Sequence, residues 1–110
     1  WRLPTISELR SLIRGCPGTV TGGACKVTDS CLSGSCWSKA CLSCSLGKGP
    51  GKDGYYQDPI LENSGNIWFW SSSPQADRSS AAWFVGFGGG SLSRHDVYFD
   101  SGVRCVRPGP

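Results

Sequence analysis

The chain carries AAWFVGFGGGS at residues 81–91, where a strand pattern is followed at once by a turn pattern. Its bulky residues Trp83, Val85 and Phe87 recur at every second position, which is the period of a strand buried on one face. The glycines that follow lead into no helix, so they predict a hairpin connection and not a phosphate-binding loop. The segment is therefore expected to be one strand of an antiparallel sheet.

Three further short runs have the same character as this segment. Each groups aromatic and β-branched residues between Ser, Pro, Asp and Gly, which is typical of strands joined by turns. The runs are IWFWS at 67–71, DVYFD at 96–100 and VRCVR at 103–107. Between the first run and the central one, SSSPQAD at 71–77 is expected to turn. Together they predict a C-terminal antiparallel sheet that holds most of the core.

The opening segment predicts a single helix. Thr5 and Glu8 have the spacing of a capping box, in which each side chain binds a backbone amide of the other residue. The helix therefore begins just after Thr5, and Gly15 suits the position that ends it. Its apolar residues repeat at helical spacing, whereas Arg10 and Arg14 fall on the solvent side.

A long segment without helical or strand periodicity, residues 16–66, separates the helix from the sheet. Seven cysteines in a chain without methionine are typical of an oxidising compartment. Beyond Cys16, five lie inside this segment with their pairing open: Cys25, Cys31, Cys36, Cys41 and Cys44. We expect cross-links to take the place of a hydrophobic core here.

The preferred disulfide joins Cys16 to Cys105. Cys16 follows the helix and Cys105 lies inside the last predicted strand, so both are expected at element edges that face the core. One cysteine of the seven then has no partner within the chain. Cys41 and Cys44 form a C-x-x-C motif, but a structural zinc site needs a second close pair of ligands. Neither a metal nor another cofactor is predicted.

Length and charge restrict the class of protein. The 110 residues suit a single domain, which we assign to residues 1–110. A net charge of +3 is too small for a nucleic-acid binder with one face packed with cations. No window approaches the roughly 18 consecutive apolar residues of a membrane helix, so membrane insertion is not predicted. We expect a secreted or cell-surface protein whose export signal is absent from this sequence.

Cations on irregular loops are the candidate ligand-binding residues, because loops held by a scaffold are common recognition surfaces. They are Lys48, Lys52, Arg78, Arg94 and His95. No serine has the surroundings of a catalytic nucleophile, so we do not predict a hydrolase that uses the only histidine. Trp68, Trp70 and Trp83 are the types of residue that stack on sugars, although two of the three are expected inside the core.

Four motifs, in this order, resemble one family: WRLPTISELRSLI, WFWSSS, AWFVGFGGG and GVRCVR. The chain is similar to the C-terminal domain of collagen-like bacterial adhesins, the Lcl C-terminal domain family, with kinship to the Fibrobacter major paralogous domain. The resemblance covers nearly the whole chain. It implies a C-type-lectin-like α+β fold that is exported, often attached to the cell surface, and adhesive in function.

RLPTISEL and GVRCV also resemble segments of formylglycine-generating enzymes. In those enzymes the cysteines of the two segments are disulfide-bonded, so this resemblance implies the same Cys16–Cys105 bond. Their copper-binding cysteine pair lies shortly before the terminal motif, where residues 83–102 of this chain contain no cysteine. The resemblance therefore implies the fold of these enzymes but not their activity. The chain is not predicted to be an enzyme.

Two functions are compatible with these features. The first is an extracellular adhesion or ligand-binding module for a glycan or anionic polysaccharide. The second is a structural surface or filament subunit that self-assembles into a homo-oligomer. The odd cysteine favours the second function. So does the start at Trp1, because family domains usually have an upstream segment that supplies a first strand.

Overall fold

The computed structural model describes residues 2–42, 44–45, 47–58 and 68–96, without the side chain of residue 96. Helix α1 spans Ile6–Arg10, and three single 3-10 turns follow at Gly34–Cys36, Lys39–Cys41 and Lys52–Gly54. Strands β1 (Trp68–Gln75), β2 (Arg78–Gly86) and β3 (Ser91–Asp96) form an antiparallel sheet in the order β1-β2-β3. The predicted α+β class is confirmed. No helix in the described ranges is long and apolar enough to cross a membrane.

The start of α1 is confirmed, but its predicted length is wrong. Thr5 Oγ1 accepts a hydrogen bond from the Glu8 amide at 3.2 Å, and the Thr5 amide donates to Glu8 Oε1 at 2.9 Å. The helix ends after five residues and does not extend to Gly15. The chain leaves the helical path because Ile13 forms an antiparallel bridge with Gln57 in the irregular segment.

Acidification is expected to weaken this helix start. Arg2 donates to both carboxylate oxygens of Glu8 at 2.7 Å, and this interaction, followed by the Thr5 amide, lowers the pKa of Glu8 from 4.5 to about 2. Because the pKa is lower in the folded chain, the stabilisation is complete above about pH 4.5 and is lost as the pH falls through about 2. Both side chains are more than a third exposed, and exposed ion pairs contribute at most about 1 kcal/mol.

Urea unfolding of Glu8→Gln beside wild type measures this contribution, because glutamine keeps an oxygen for the capping box and removes the charge together with one acceptor for Arg2. The stability difference between the two proteins should shrink between about pH 5 and pH 2. A difference that stays constant with pH would contradict the assignment.

The sheet confirms two predicted strands and the glycine-rich hairpin, whose turn occupies residues 87–90. SSSPQAD is not a turn, because β1 continues to Gln75 and only residues 76–77 turn. Inward-facing serines make this polar strand possible. Ser71 Oγ donates to the Trp83 carbonyl at 2.7 Å, and Ser73 Oγ accepts from the Ile6 amide at 2.9 Å. Residue 67, the DVYFD run beyond residue 96, and VRCVR lie outside the described residues.

One hydrophobic core joins all parts of the described chain. Trp83, Val85 and Phe87 are fully buried, as their alternation predicts, and they pack with the apolar side of α1. The irregular segment also contributes to this core, through Val27, Tyr56 and its buried disulfides. The expectation that cross-links take the place of a core in this segment is therefore wrong, because the half-cystines are themselves core residues.

Three disulfides staple the irregular segment: Cys16–Cys44, Cys25–Cys41 and Cys31–Cys36. The predicted Cys16–Cys105 bond is wrong, since Cys16 is bonded to Cys44. The turn after α1 directs the chain toward Tyr56, whose carbonyl accepts from the Arg14 amide at 2.9 Å. This turn brings the Cα atoms of Cys16 and Cys44 to 5.9 Å, whereas Cys105 lies outside the described residues.

Arg10 is buried, with 3% of its surface exposed, so its predicted place on the solvent side is wrong. Its Nε donates to the Thr19 carbonyl at 2.8 Å, and its Nη atoms donate to Val27 at 2.8 Å and Val20 at 3.0 Å. The reason is tertiary: residues 19–27 fold over this side of the short helix and present inward-facing carbonyls. Burial lowers the pKa of Arg10. Arg14 is exposed, as predicted.

Candidate functional site

A cavity of about 300 Å³ lies where the β1–β2 turn meets the end of β3. It is lined by Gln75, Arg78, Ala81, Arg94 and His95. We call it the cationic cavity. The antiparallel register creates it, because Gln75 pairs with Arg78 at the turn and His95 pairs with Ala82 on the neighbouring strand.

The cationic cavity brings together three of the five predicted ligand-binding residues. Arg78, Arg94 and His95 all line it, whereas Lys48 and Lys52 are exposed residues outside its lining. The expectation that Arg78, Arg94 and His95 lie on loops is wrong, since Arg78 begins β2 and the other two belong to β3. A strand holds these two cations more rigidly than a loop would.

Two indole rings fix Arg94 in this cavity. The guanidinium carbon lies 5.3 Å from the centroid of Trp37 and 5.9 Å from that of Trp83, which is cation–π distance. Both rings are anchored, because Trp37 Nε1 donates to the Leu92 carbonyl at 2.9 Å and Trp83 Nε1 donates to the Leu32 carbonyl at 2.8 Å. Within the described part of the chain, the half-buried guanidinium forms no hydrogen bond and no ion pair.

The carboxylate of Asp77, in the β1–β2 turn, is hydrogen-bonded to Gln75 of the cavity lining. Its Oδ1 accepts from Gln75 Nε2 at 2.8 Å and from the Gly34 amide at 2.9 Å. These hydrogen bonds, the one from Gln75 foremost, lower the pKa of Asp77, and the nearby charge of Arg94 adds a smaller effect. Asp77 forms no ion pair with the cations that the structure describes.

A second concavity, of about 390 Å³, lies on the outer side of β2 and β3 and is mainly apolar. Trp37, Leu42, Trp68 and Phe84 supply its large side chains, and we call it the aromatic groove. Trp68 stacks on Phe84 with centroids 5.1 Å apart. Trp68 and Trp70 are half-buried and only Trp83 is fully buried, so the expectation of two internal tryptophans is wrong. The register explains this, because Trp68 and Trp70 face away from the core.

Comparison of the sequence with models of protein families shows the family of this chain. The sequence model of the Lcl C-terminal domain matches residues 1–107. The chain belongs to this family. No curated protein and no solved structure matches it. Family membership confirms the resemblance seen in the four motifs and is consistent with a surface or adhesin-associated module. The three disulfides of this Lcl C-terminal domain are likewise consistent with an extracellular or surface location.

Sequence reasoning assigned no role to Trp37 or Asp77 in this Lcl C-terminal domain. A lone tryptophan between cysteines, in an otherwise polar segment, is the one local signal that marks Trp37 as unusual. Asp77 has no such signal, because its contact with Gly34 spans 43 positions of the sequence. Cys41 and Cys44 of the C-x-x-C motif lie in separate disulfides. Among the described residues, no group of three His, Cys, Asp or Glu side chains is placed to hold a metal ion.

Proposed function

We propose that this Lcl C-terminal domain is an extracellular ligand-binding module that recognises an anionic polysaccharide through the cationic cavity. The observation that carries the proposal is the environment of the Arg94 guanidinium. Two indoles orient its guanidinium, and no acceptor in the described ranges occupies its N–H groups. A planar guanidinium donates two parallel hydrogen bonds to a carboxylate or sulfate, and preorganisation lowers the entropy lost on binding.

The charges around the cavity support an anion over a neutral ligand. Arg78 and Arg94 lie in one cavity, and the carboxylate of Asp77 is held by Gln75 and Gly34. The whole chain carries a net charge of +3, which adds a weak long-range attraction. A polymer that carries repeated anionic groups binds with higher affinity than a single group does, because its neighbouring groups raise the effective ligand concentration.

We also propose that the domain has a C-type-lectin-like fold and that it functions by binding, without catalysis. A C-type-lectin-like arrangement is supported by the order of helix, disulfide-rich segment and antiparallel sheet. Kinship to the Fibrobacter major paralogous domain and to formylglycine-generating enzymes is supported by the terminal motifs. Function by binding alone is supported by the lack of cysteine between residues 83 and 102.

Arg94→Ala is expected to weaken binding of a heparin-like oligosaccharide by roughly tenfold, because a charge-assisted hydrogen bond contributes about 1.5–3 kcal/mol. Arg94→Lys should lose part of the affinity, since an ammonium keeps the charge but not the planar fork. Lys48→Ala removes an exposed cation outside the cavity and is the matched control. Isothermal titration calorimetry across a salt series measures all three, and wild-type affinity should fall with added salt.

Equal affinity of the wild type for neutral and sulfated glycans would contradict the proposal. So would an unchanged affinity in the Arg78→Ala, Arg94→Ala double variant. The alternative function, a self-assembling surface subunit, is then favoured if light scattering shows a molecular mass that rises with protein concentration.

A further inference from the structure

We infer that Gln75 determines the specificity of the cationic cavity, because its amide oxygen accepts a hydrogen bond from a hydroxyl of the ligand. This inference rests on the proposed function and narrows its ligand class. The preferred ligand is a saccharide with a free hydroxyl beside its anionic group. A polyanion without hydrogen-bond donors, such as inorganic polyphosphate, satisfies the cations of the cavity but not this oxygen.

The orientation of the Gln75 amide is fixed by the carboxylate of Asp77. Gln75 Nε2 donates to Asp77 Oδ1 at 2.8 Å, and the Gly34 amide donates to the same oxygen at 2.9 Å. These bonds, the one from Gln75 foremost, hold the pKa of Asp77 below its ordinary value, so the group is ionised at neutral pH. An ionised carboxylate only accepts hydrogen bonds. The amide therefore keeps its nitrogen toward Asp77 and its oxygen away from it.

The amide oxygen of Gln75 is the atom left for a ligand. Gln75 lines the cationic cavity with 9% of its surface exposed, and its Oε1 accepts no hydrogen bond from the residues that the structure describes. An enclosed acceptor needs a donor once a ligand has displaced the water around it. A site built around such an oxygen favours ligands that supply an O–H or N–H group and discriminates against analogues that lack one.

Gln75 and Arg94 lie on the same side of the sheet. Gln75 continues the alternation of buried residues along β1, which includes Phe69 of the hydrophobic core. Arg94 pairs with Trp83, which is buried in the same core, and the side chains of paired residues in an antiparallel sheet point to the same side. The charge of Arg94 also contributes to the lowered pKa of Asp77, which places the guanidinium near the Gln75–Asp77 hydrogen bond. One ligand group in the cavity can therefore contact both Gln75 and Arg94.

A saccharide supplies both of the groups that this arrangement requires. Its carboxylate or sulfate accepts two N–H groups of Arg94, and a hydroxyl on the same sugar ring donates to Gln75 Oε1. The cavity volume of about 300 Å³ is at the lower end of the range for small-molecule sites, which suits one sugar residue with its substituent. Recognition of the two groups together distinguishes an anionic saccharide from other polyanions.

Gln75→Met tests the inference, because methionine has a similar length and carries no amide. Isothermal titration calorimetry compares a heparin-derived hexasaccharide with inorganic polyphosphate of similar charge. We expect hexasaccharide affinity to fall roughly 3- to 10-fold, the effect of one neutral hydrogen bond, and polyphosphate affinity to stay unchanged. Asp77→Asn is the matched control. It removes the charge but keeps an oxygen that accepts from Gln75, so the discrimination between the two ligands should persist.

Methylation of the free hydroxyls of the hexasaccharide is the complementary change in the ligand, because it removes the O–H donors and preserves the rings and charges. The wild type should bind the methylated form roughly 3- to 10-fold more weakly, whereas Gln75→Met should bind both forms with equal affinity. A purely structural role of Gln75 would not produce this coupling between the side chain and the ligand hydroxyls. Circular dichroism verifies the fold of each variant.

The outcomes separate the two proposals. If Arg94→Ala weakens binding of both polyanions but Gln75→Met weakens them equally or not at all, the proposed function stands and the role of Gln75 is overturned. Equal affinity of the wild type for the free and methylated forms of the hexasaccharide overturns that role as well. If the wild type binds neither the hexasaccharide nor polyphosphate, both proposals fail.

Discussion

Replacing Arg10 with alanine is expected to lower the free energy of unfolding by about 3 kcal/mol or more, because it leaves several buried carbonyls without a donor. The Arg10 guanidinium donates to the carbonyls of Thr19, Val20 and Val27, which lie in a segment with no helix or strand. Each buried carbonyl left unpaired costs about 1–3 kcal/mol, reduced where water can enter. Few surface positions in a protein would have an effect of this size.

Arg14→Ala is the natural control for this experiment. Arg14 also donates to backbone carbonyls, those of Ser11 and Ile13, but its side chain is exposed to water. Its removal should change stability by no more than about 0.5 kcal/mol. Urea unfolding under non-reducing conditions measures both variants. Equal effects of the two substitutions would show that burial of Arg10 does not contribute in this way.

Removing the Cys16–Cys44 disulfide by replacing both residues with alanine is expected to cost about 3.5 kcal/mol, from the entropy of closing a 28-residue loop. Removing Cys31–Cys36, whose sequence separation is 5, should cost only about 2 kcal/mol on the same basis. The Cys16–Cys44 bond also lies beside the β2–β3 turn, where the Cys44 amide donates to the Gly89 carbonyl at 2.6 Å. Its loss should therefore loosen the turn between the strands of the candidate site.

Thermal unfolding of the two double-alanine variants tests the order of these effects. A non-reducing peptide map of the wild type tests the pairing itself. Recovery of a peptide in which Cys16 is bonded to Cys105 would contradict the Cys16–Cys44 bond and restore the pairing suggested by the terminal motifs. A larger loss of stability in the variant without Cys31–Cys36 would mean that the contacts of its short loop contribute more to stability than chain entropy does.

The elements predicted correctly are those whose signals lie within a few residues. The capping box needs only Thr5 and Glu8, and the β2 strand needs only the alternation around Val85. The glycines after Phe87 are a local turn signal, although Cys44 also binds this turn in the folded chain. Local sterics and hydrogen bonding therefore suffice to predict such elements.

The predictions that were wrong depend on contacts between residues that lie far apart in the sequence. Arg10 has a solvent-facing pattern within its own helix, and only the packing of residues 19–27 buries it. Ser71 and Ser73 are weak strand formers, yet hydrogen bonds to distant backbone groups stabilise them inside β1. The cysteine pairing failed for a related reason, because seven cysteines allow many combinations and the path of the chain selects among them.

The amino-acid sequence therefore established the family, the α+β class, the start of the helix and the identity of the candidate cations, since each depends on residue types in a fixed local order. It could not establish that Arg78, Arg94 and His95 share one cavity while Lys48 and Lys52 stay outside it. Nor could it show that Trp37 lies over Arg94, a contact across 57 positions of the sequence. Such contacts depend on sheet register and disulfide topology, and these are set by packing over the whole fold.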